Sequence, residues 1–597
     1  MNRRRFLHMA GLGAAAVSIS RLPAAEARSR RPNVILVMTD DQGYGDLGCH
    51  GNRMIRTPML DKLYASSVRL TDFHVSPLCT PTRASLMTGR DCVRVGAWAT
   101  TWGRSLPWAE EVMMPAVFKA SGYRTGMFGK WHLGDNTPFR PQDRGFAHVV
   151  CHGGGGVGQT PDYWGNDYFD DTYFHNGTPT KHTGYCTDVW FDEAIKFIAA
   201  NKDRPFFAYI STNAPHGPLH VAARYSEPYR KKGVPANMAK FYGMIENIDE
   251  NMGRLMARLD KLGLAENTIL IFMTDNGTAG GVGRAPRRKG AGGKGWTGFN
   301  ASMRGRKGSL YDGGHRVPCL WRWPGGKLTG GRDVTGLTAH IDLLPTLIDV
   351  CRLKKPAGVT FDGVSLAGLL SGKVRALPDR NVMVQFRQSN APPAEWSCAV
   401  MSGRWRLVAG NQLYDIQADP GQKTNIAARH RDVVKRLRAA HKRYWAEVSK
   451  RFGEHSRIVI GSEAENPSRL TGFDWHVGPP WNQSHIRGAS AANSLWAVRI
   501  ARDGAYEIAL RRWPEEADTP INAAVRGGKA IRVSKARLQI GTIDITRPVA
   551  ATDKAAVFRV TLKAGPANLR ASFIDPAGKT RCGAYYVHVK RLAAGSC

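Results

Sequence analysis

Four strand-like runs, each ending in polar residues, constrain this chain more than anything else in it. Asn33–Met38 leads to Asp40 and Asp41, and Tyr123–Phe128 leads to Lys130 and His132. Pro205–Ser211 leads to His216, and Thr268–Met273 leads to Asp275 and Asn276. The first, third and fourth are apolar runs of a length that suits strands buried on both faces, and the second reads as a short strand. Helical patterns near residues 116–122, 188–200 and 240–262 separate most of them. In the last of these, Phe241, Met244, Ile245, Ile248, Met252, Leu255 and Leu259 recur at steps of three and four, which marks a core-facing stripe. Strands alternating with helices predict an α/β fold with a large, mixed but mainly parallel sheet sandwiched by helices. Ligands of such sheets bind beyond the carboxyl ends of the strands. Topology alone therefore gathers the four polar clusters at one edge.

The residue types say what chemistry that edge could carry. Adjacent carboxylates repel unless something cationic sits with them, and a hard metal ion is the usual solution. Lys130 and His132 alternate, so they point the same way if strand geometry persists. Prolines on both sides of His216 fix its backbone. Cys79 opens a short helical run in which Pro81 suits the first turn and Gly89 can end it. A side chain at a helix N-terminus meets free N–H groups and the positive end of the dipole, which favours anionic chemistry. Taken singly, each feature has a plain structural reading: a capping aspartate, a surface lysine, a half-buried histidine, a buried cysteine. Four clusters at equivalent strand ends argue for a site. The glycine run Gly153–Gly158 reads as an irregular loop over the cleft. The basic stretch 279–300, with Arg284, Arg287, Arg288, Lys289 and Lys294, reads as a loop overhanging it.

At 597 residues the chain exceeds one ordinary domain. Residues 1–27 read as an export signal: the twin arginines of Arg3-Arg4-Arg5 precede Phe6 and Leu7, a mild apolar run follows, and Ala25-Glu26-Ala27 resembles a cleavage site. That points to the bacterial periplasm or secretion. No other stretch is long and apolar enough for stable membrane insertion. Residues 28–375 read as the catalytic α/β domain. Residues 376–455 read as a small antiparallel sheet-and-helix subdomain, with strands at Val382–Phe386, Trp405–Val408 and Gln412–Ile416. Residues 456–597 alternate like a β-sandwich; their Trp475, Trp481, Trp496 and Trp513 read mostly as core, with a sugar-stacking platform as the other reading. Residues 59–70 read as one short helix. The ten cysteines are scattered without a CxxC, which argues against structural zinc and leaves room for one or two disulfides of open pairing. A net charge of +35 favours polyanionic partners. Without a zinc-finger or RNA-binding motif, sulfated or carboxylated polysaccharide is preferred over nucleic acid.

Cys79-x-Pro81-x-Arg83, followed by Leu86 and Thr88-Gly89-Arg90, resembles the signature of the type I sulfatases, formylglycine-dependent members of the alkaline phosphatase superfamily. The likeness runs over roughly residues 32–450. It takes in Gly129–Gly134, Ala214–His216, Thr274–Gly277, and Lys307 with Asp312–Pro318. One departure is Asp312, where the family usually has glutamate before paired glycines. The resemblance implies a sulfuric ester hydrolase, arylsulfatase-like, that releases sulfate from a sulfated carbohydrate or aryl sulfate. It implies that a maturation enzyme oxidises Cys79 to formylglycine, whose hydrated aldehyde is the nucleophile. It implies one calcium ion held by Asp40, Asp41, Asp275 and Asn276, with the residue at Cys79 as a further ligand. Arg83 and Lys130 would stabilise the deprotonated hydrate, Lys307 would grip sulfate, His216 would assist departure of the alcohol, and His132 would act as base in the release of sulfate. Two alternatives stand beside this: a phosphate or phosphonate monoester hydrolase on the same scaffold, and a non-catalytic binder of sulfated glycans should Cys79 stay a thiol. Oligomeric state, sulfate position and exo or endo action are not legible.

Overall fold

The computed structural model describes residues 31–281 and 298–593. The export signal expected at residues 1–27, Cys597 and the basic side chains expected to overhang the cleft (Arg284, Arg287, Arg288, Lys289 and Lys294) lie outside the described residues.

A ten-stranded sheet forms the centre of the chain. Its middle is parallel and runs Thr268–Thr274, Asn33–Thr39, Phe206–Ser211, Arg124–Gly129, His148–Cys151 in spatial order. Cys319–Arg322 adds an antiparallel strand beside Thr268–Thr274. The strand Asn33–Thr39 is buried throughout. Its alternate side chains serve opposite faces, as the pleat dictates. Val34, Leu36 and Met38 pack with Ala84, Leu86, Val117, Phe118, Leu343 and Leu347 on one side. Ile35 and Val37 pack with Val189, Phe191, Ile248 and Leu255 on the other. The helices Cys186–Ala200 and Ala236–Lys261 cover that second face, and the expected stripe of the longer one is buried.

Register sets the site. Thr39 pairs with Thr274, Met38 with Ser211, and Ser211 with Gly129. The four polar clusters of the sequence therefore leave neighbouring strands at one level and on the same edge of the sheet.

Residues 59–70 are not one helix. The helix Pro58–Ala65 stops at Ser66-Ser67, and Val68–Leu70 joins the sheet beside Cys319–Arg322. The β-branched Val68 and the serine pair favour that break. The small subdomain is a four-stranded antiparallel sheet over Val382–Asp415. Its core closes against Val433 and Leu437 of the helix Arg431–Val448. Beyond it, a six-stranded and a four-stranded sheet enclose one core. Trp475, Trp496 and Trp513 lie inside this sandwich, whereas Trp481 is 42% exposed. Leu106 and Phe139, from the large domain, belong to the same core, so the sandwich is packed onto its neighbour rather than tethered. All nine described cysteines are unpaired, which corrects the expectation of disulfides among them. Among the described residues no helix is long and apolar enough to cross a membrane.

Candidate active site

The strand ends bring together buried charges of both signs. Asp40, Asp41, Asp275, Asn276, Lys130 and Arg83 are all buried. Lys130 Nζ lies 2.6 Å from Asp40 Oδ2, and Arg83 Nη2 lies 2.8 Å from Asp275 Oδ2. Lys307 Nζ lies 2.5 Å from Asp41 Oδ1 and 3.8 Å from Cys79 Sγ. Asn276 donates to Asp41 Oδ1 at 2.9 Å, and the Asp41 backbone N–H donates to Asp275 Oδ1 at 3.0 Å. Burial raises the Asp41 carboxyl, but Lys307 and His216 beside it outweigh this and hold it well below the usual range. Burial and the neighbouring Asp40 push Asp275 up to about 6 against the pull of Arg83 and Lys130.

Cys79 starts the helix Cys79–Thr88, in which every residue is buried; Gly89, left-handed at φ 67°, ends it. Arg83, one turn on, spends its donors inside the protein. Besides Asp275 it reaches the Lys130 carbonyl (3.1 Å), Tyr209 (3.3 Å) and Ser211 (2.5 Å). It thus ties the helix to three neighbouring strands. Burial pushes the Cys79 thiol up to about 11, even with Lys130 and Lys307 pulling it down. As encoded, residue 79 is a neutral thiol near pH 7 and a poor nucleophile.

His132 stands in a left-handed backbone conformation at φ 63°. Its Nε2 lies 3.0 Å from the Thr100 carbonyl. A carbonyl can only accept, so Nε2 carries the proton and Nδ1 holds the lone pair. Nδ1 is buried and has no partner among the described residues. Burial and the charges of Lys130 and Arg83 keep the ring neutral. The glycine run explains how the ring is held. A Cβ on Gly155 would stand 2.2 Å from His132 Cε1, so only glycine lets the loop lie on the imidazole. That loop is fixed in turn: Gly155 N–H donates to Gln159 Oε1 at 2.8 Å, and Gly154 N–H to Asp135 Oδ1 at 2.9 Å. His216 lies at the rim, with Nδ1 2.6 Å from the Gly217 carbonyl and Nε2 3.7 Å from Asp41 Oδ2. Burial, opposed by Asp41 and aided by Lys307, lowers its pKa to about 4.

The acidic cluster has the makings of a cation site. One ligand atom each from Asp40, Cys79 and Asp275 lie within 4.8 Å of one another. Asp40 Oδ1 and Asn276 Oδ1 are buried without a partner among the described residues. Orphaned oxygens in an all-oxygen carboxylate and amide set suit a hard divalent ion. Asp312 is not part of this cluster; its carboxylate faces Arg406, 3.3 Å away, beneath the small sheet.

Above Cys79 opens a pocket of about 260 Å³. Cys79, His132, His216 and Lys307 line it, as expected from sequence. So do Thr100, Thr101, Trp102, Gln159, Gln388 and Phe473, which carry no sequence signal of their own, and Trp481, one of the four tryptophans read as core or as a sugar-stacking platform.

Residues 32–352 match the family model described as Sulfatase, and residues 306–446 match that of the N-sulphoglucosamine sulphohydrolase C-terminal region. The chain belongs to the sulfatase family. It is a hydrolase of sulfuric esters, and members of the family generally use a formylglycine and a metal ion. Human arylsulfatase A is 32% identical over 493 residues, covering 77% of this chain and 89% of the relative. The N-acetylgalactosamine-6-sulfatase of Rattus norvegicus is 30% identical over 56% of this chain and 65% of its own length. Among solved structures, Ps i-CgsB in complex with k-i-k-neocarrahexaose superposes with a TM-score of 0.60 at 26% identity. That match covers 70% of this chain and 94% of the other.

In this sulfatase Gly155→Ala is expected to push His132 aside and lower kcat by about 10²-fold, the usual cost of an ångström-scale misplacement. The comparison is steady-state sulfate release at matched folded concentration, with thermal unfolding as the control. Wild-type kcat in the variant would show that the close contact does not position the ring.

Proposed function

We propose that this protein removes sulfate esters from sulfated sugars, with a formylglycine made from Cys79 as nucleophile and calcium held by Asp40, Asp41, Asp275 and Asn276 beside residue 79. The observation that carries this reading is the position of Cys79. It is a neutral thiol at a buried helix N-terminus, 3.8 Å from Lys307, at the floor of the pocket. A cysteine kept protonated among cations makes chemical sense as a precursor rather than as a nucleophile. A maturation enzyme that generates formylglycine is then an obligatory partner. Residues 1–27 support export to the periplasm or beyond.

When present, the hydrated aldehyde supplies a geminal diol: one oxygen for attack on sulfur and a second hydroxyl through which the aldehyde can be restored. Calcium supplies positive charge against that nucleophile and the sulfate. The chain does the rest. Lys130 and Arg83 hold positive charge under residue 79, Arg83 chiefly by fixing Asp275. Lys307 reaches into the pocket where sulfate oxygens would lie. His132 takes up a proton at its free Nδ1 while its Nε2–H stays on Thr100. His216 stands at the open rim, on the side of the leaving alcohol. An arriving sulfate ester is an anion and raises its pKa, which lets Nε2 give up a proton. Support for a sugar substrate comes from the hydroxyl and amide groups of Thr100, Thr101, Gln159 and Gln388 around the pocket. Two of the similar proteins, by their names, also act on or bind sugars.

The test is sulfate release from 4-nitrophenyl sulfate, N-acetylgalactosamine 6-sulfate and sulfated neocarrahexaose, beside matched phosphate esters. Sulfate esters should be cleaved preferentially, and Cys79→Ser should lower turnover by about 10³-fold or more. Faster cleavage of the phosphate esters, or turnover retained in Cys79→Ser, would contradict the proposal. Calcium should also raise the unfolding temperature, by up to about 2.7 kcal/mol of stabilisation at a hundredfold excess over its dissociation constant. Asp275→Asn should blunt that gain; an equal gain in the variant would remove Asp275 from the ligand set.

A further inference from the structure

Trp481 belongs to the C-terminal sandwich, more than 400 residues along the chain from Cys79, yet both line one pocket. Its neighbours in the tryptophan series, Trp475, Trp496 and Trp513, are buried core, while Trp481 leaves 42% of its surface open. An exposed indole on a loose loop would mean little. This one is fastened. Thr160 N–H donates to the Trp481 carbonyl at 3.1 Å, and Gln483 N–H donates to the Gly158 carbonyl at 3.2 Å. Gln159 and Asn482 form a β-bridge between the two segments. Gln483 Nε2 adds a bond to the Gln159 carbonyl at 3.2 Å. The His485 ring meets the indole edge-on at 5.0 Å.

The segment that holds Trp481 is the one that lays Gly155 on His132, with Gln159 Oε1 bonded to the Gly155 N–H. The sandwich also sends Phe473 into the pocket, with its ring 5.9 Å from that of His132. One end of the pocket is therefore cationic and catalytic, and part of its wall is aromatic and rigid. Thr100, Thr101 and Gln388 add polar side chains to the same lining. A pyranose ring matches this wall: its C–H face is apolar and packs on an indole, and its hydroxyls need polar partners.

We infer that Trp481 is a specificity-determining residue, the stacking wall for the sugar ring that bears the sulfate ester. The sandwich is thus part of the substrate site. This inference rests on the sulfatase reading above and deepens it.

Trp481→Ala and Trp481→Phe test it on N-acetylgalactosamine 6-sulfate and sulfated neocarrahexaose, with inhibition by inorganic sulfate as the second readout. Inorganic sulfate can occupy only the cationic end. In Trp481→Ala the KM for the sugar ester cleaved by the wild type should rise about tenfold, with kcat changed less than KM. The inhibition constant of sulfate should move less than about twofold, and Trp481→Phe should recover most of the KM. A sugar KM within about twofold of wild type overturns the inference, as does a sulfate inhibition constant that rises in parallel with KM. Wild-type cleavage of 4-nitrophenyl sulfate with neither sugar cleaved also overturns it. Cleavage of no ester at all by the converted wild type would overturn the hydrolase reading beneath it.

Discussion

Three carboxylates buried at one edge of an apolar sheet are the constraint to which the rest of the site answers. Asp40, Asp41 and Asp275 lie out of reach of bulk water. Unpaired, such charges would cost several kcal/mol each. The fold meets this with Lys130, Lys307 and Arg83, one against each acid. Even so, Asp40 Oδ1 and Asn276 Oδ1 stay without partners among the described residues, and Asp275 is driven towards protonation. A divalent cation would complete the set. The same cations surround Cys79, so electrostatics that stabilise the acids also prepare the neighbourhood for an anionic nucleophile and an anionic ester.

Position is held by rings of contacts around that centre. Arg83 links the helix that begins at Cys79 to Asp275, Ser211 and Lys130. Thr100 fixes the tautomer of His132, and Gly155 lies against its ring. The loop of Gly155 is bonded to the sandwich, which in turn presents Trp481 to the pocket. Residues far apart in sequence thus converge because each packing step constrains the next.

The strand-end clusters were legible because two signals coincide: a fully buried parallel strand is an unbroken apolar run, and its carboxyl end is where polar residues collect. Cys79, Lys130, His132, His216 and the acidic set followed from that pattern or from the cysteine signature, and Lys307 only from the wider family resemblance. Trp102, Gln388 and Phe473 were not legible, and Trp481 stood out only as one of four tryptophans for which core was the preferred reading. Their sequence neighbourhoods look like ordinary loops, and only tertiary packing brings them to the site. Gly155 is a middle case, since a glycine run signals close approach but not what approaches. The helix expected over 59–70 failed at Ser66, where pairing with Cys319–Arg322 claims the chain. The one or two disulfides for which the sequence left room are absent among the described cysteines, most of which are buried.

The central claim is that the encoded residue 79 is not the working one. Mass spectrometry of the peptide spanning Cys79, from protein made in a host that carries the maturation enzyme, addresses it directly. The expected result is a loss of roughly 18 Da at residue 79, the replacement of CH₂SH by CHO, in the active fraction. Full activity in protein whose residue 79 keeps the unmodified cysteine mass would contradict it.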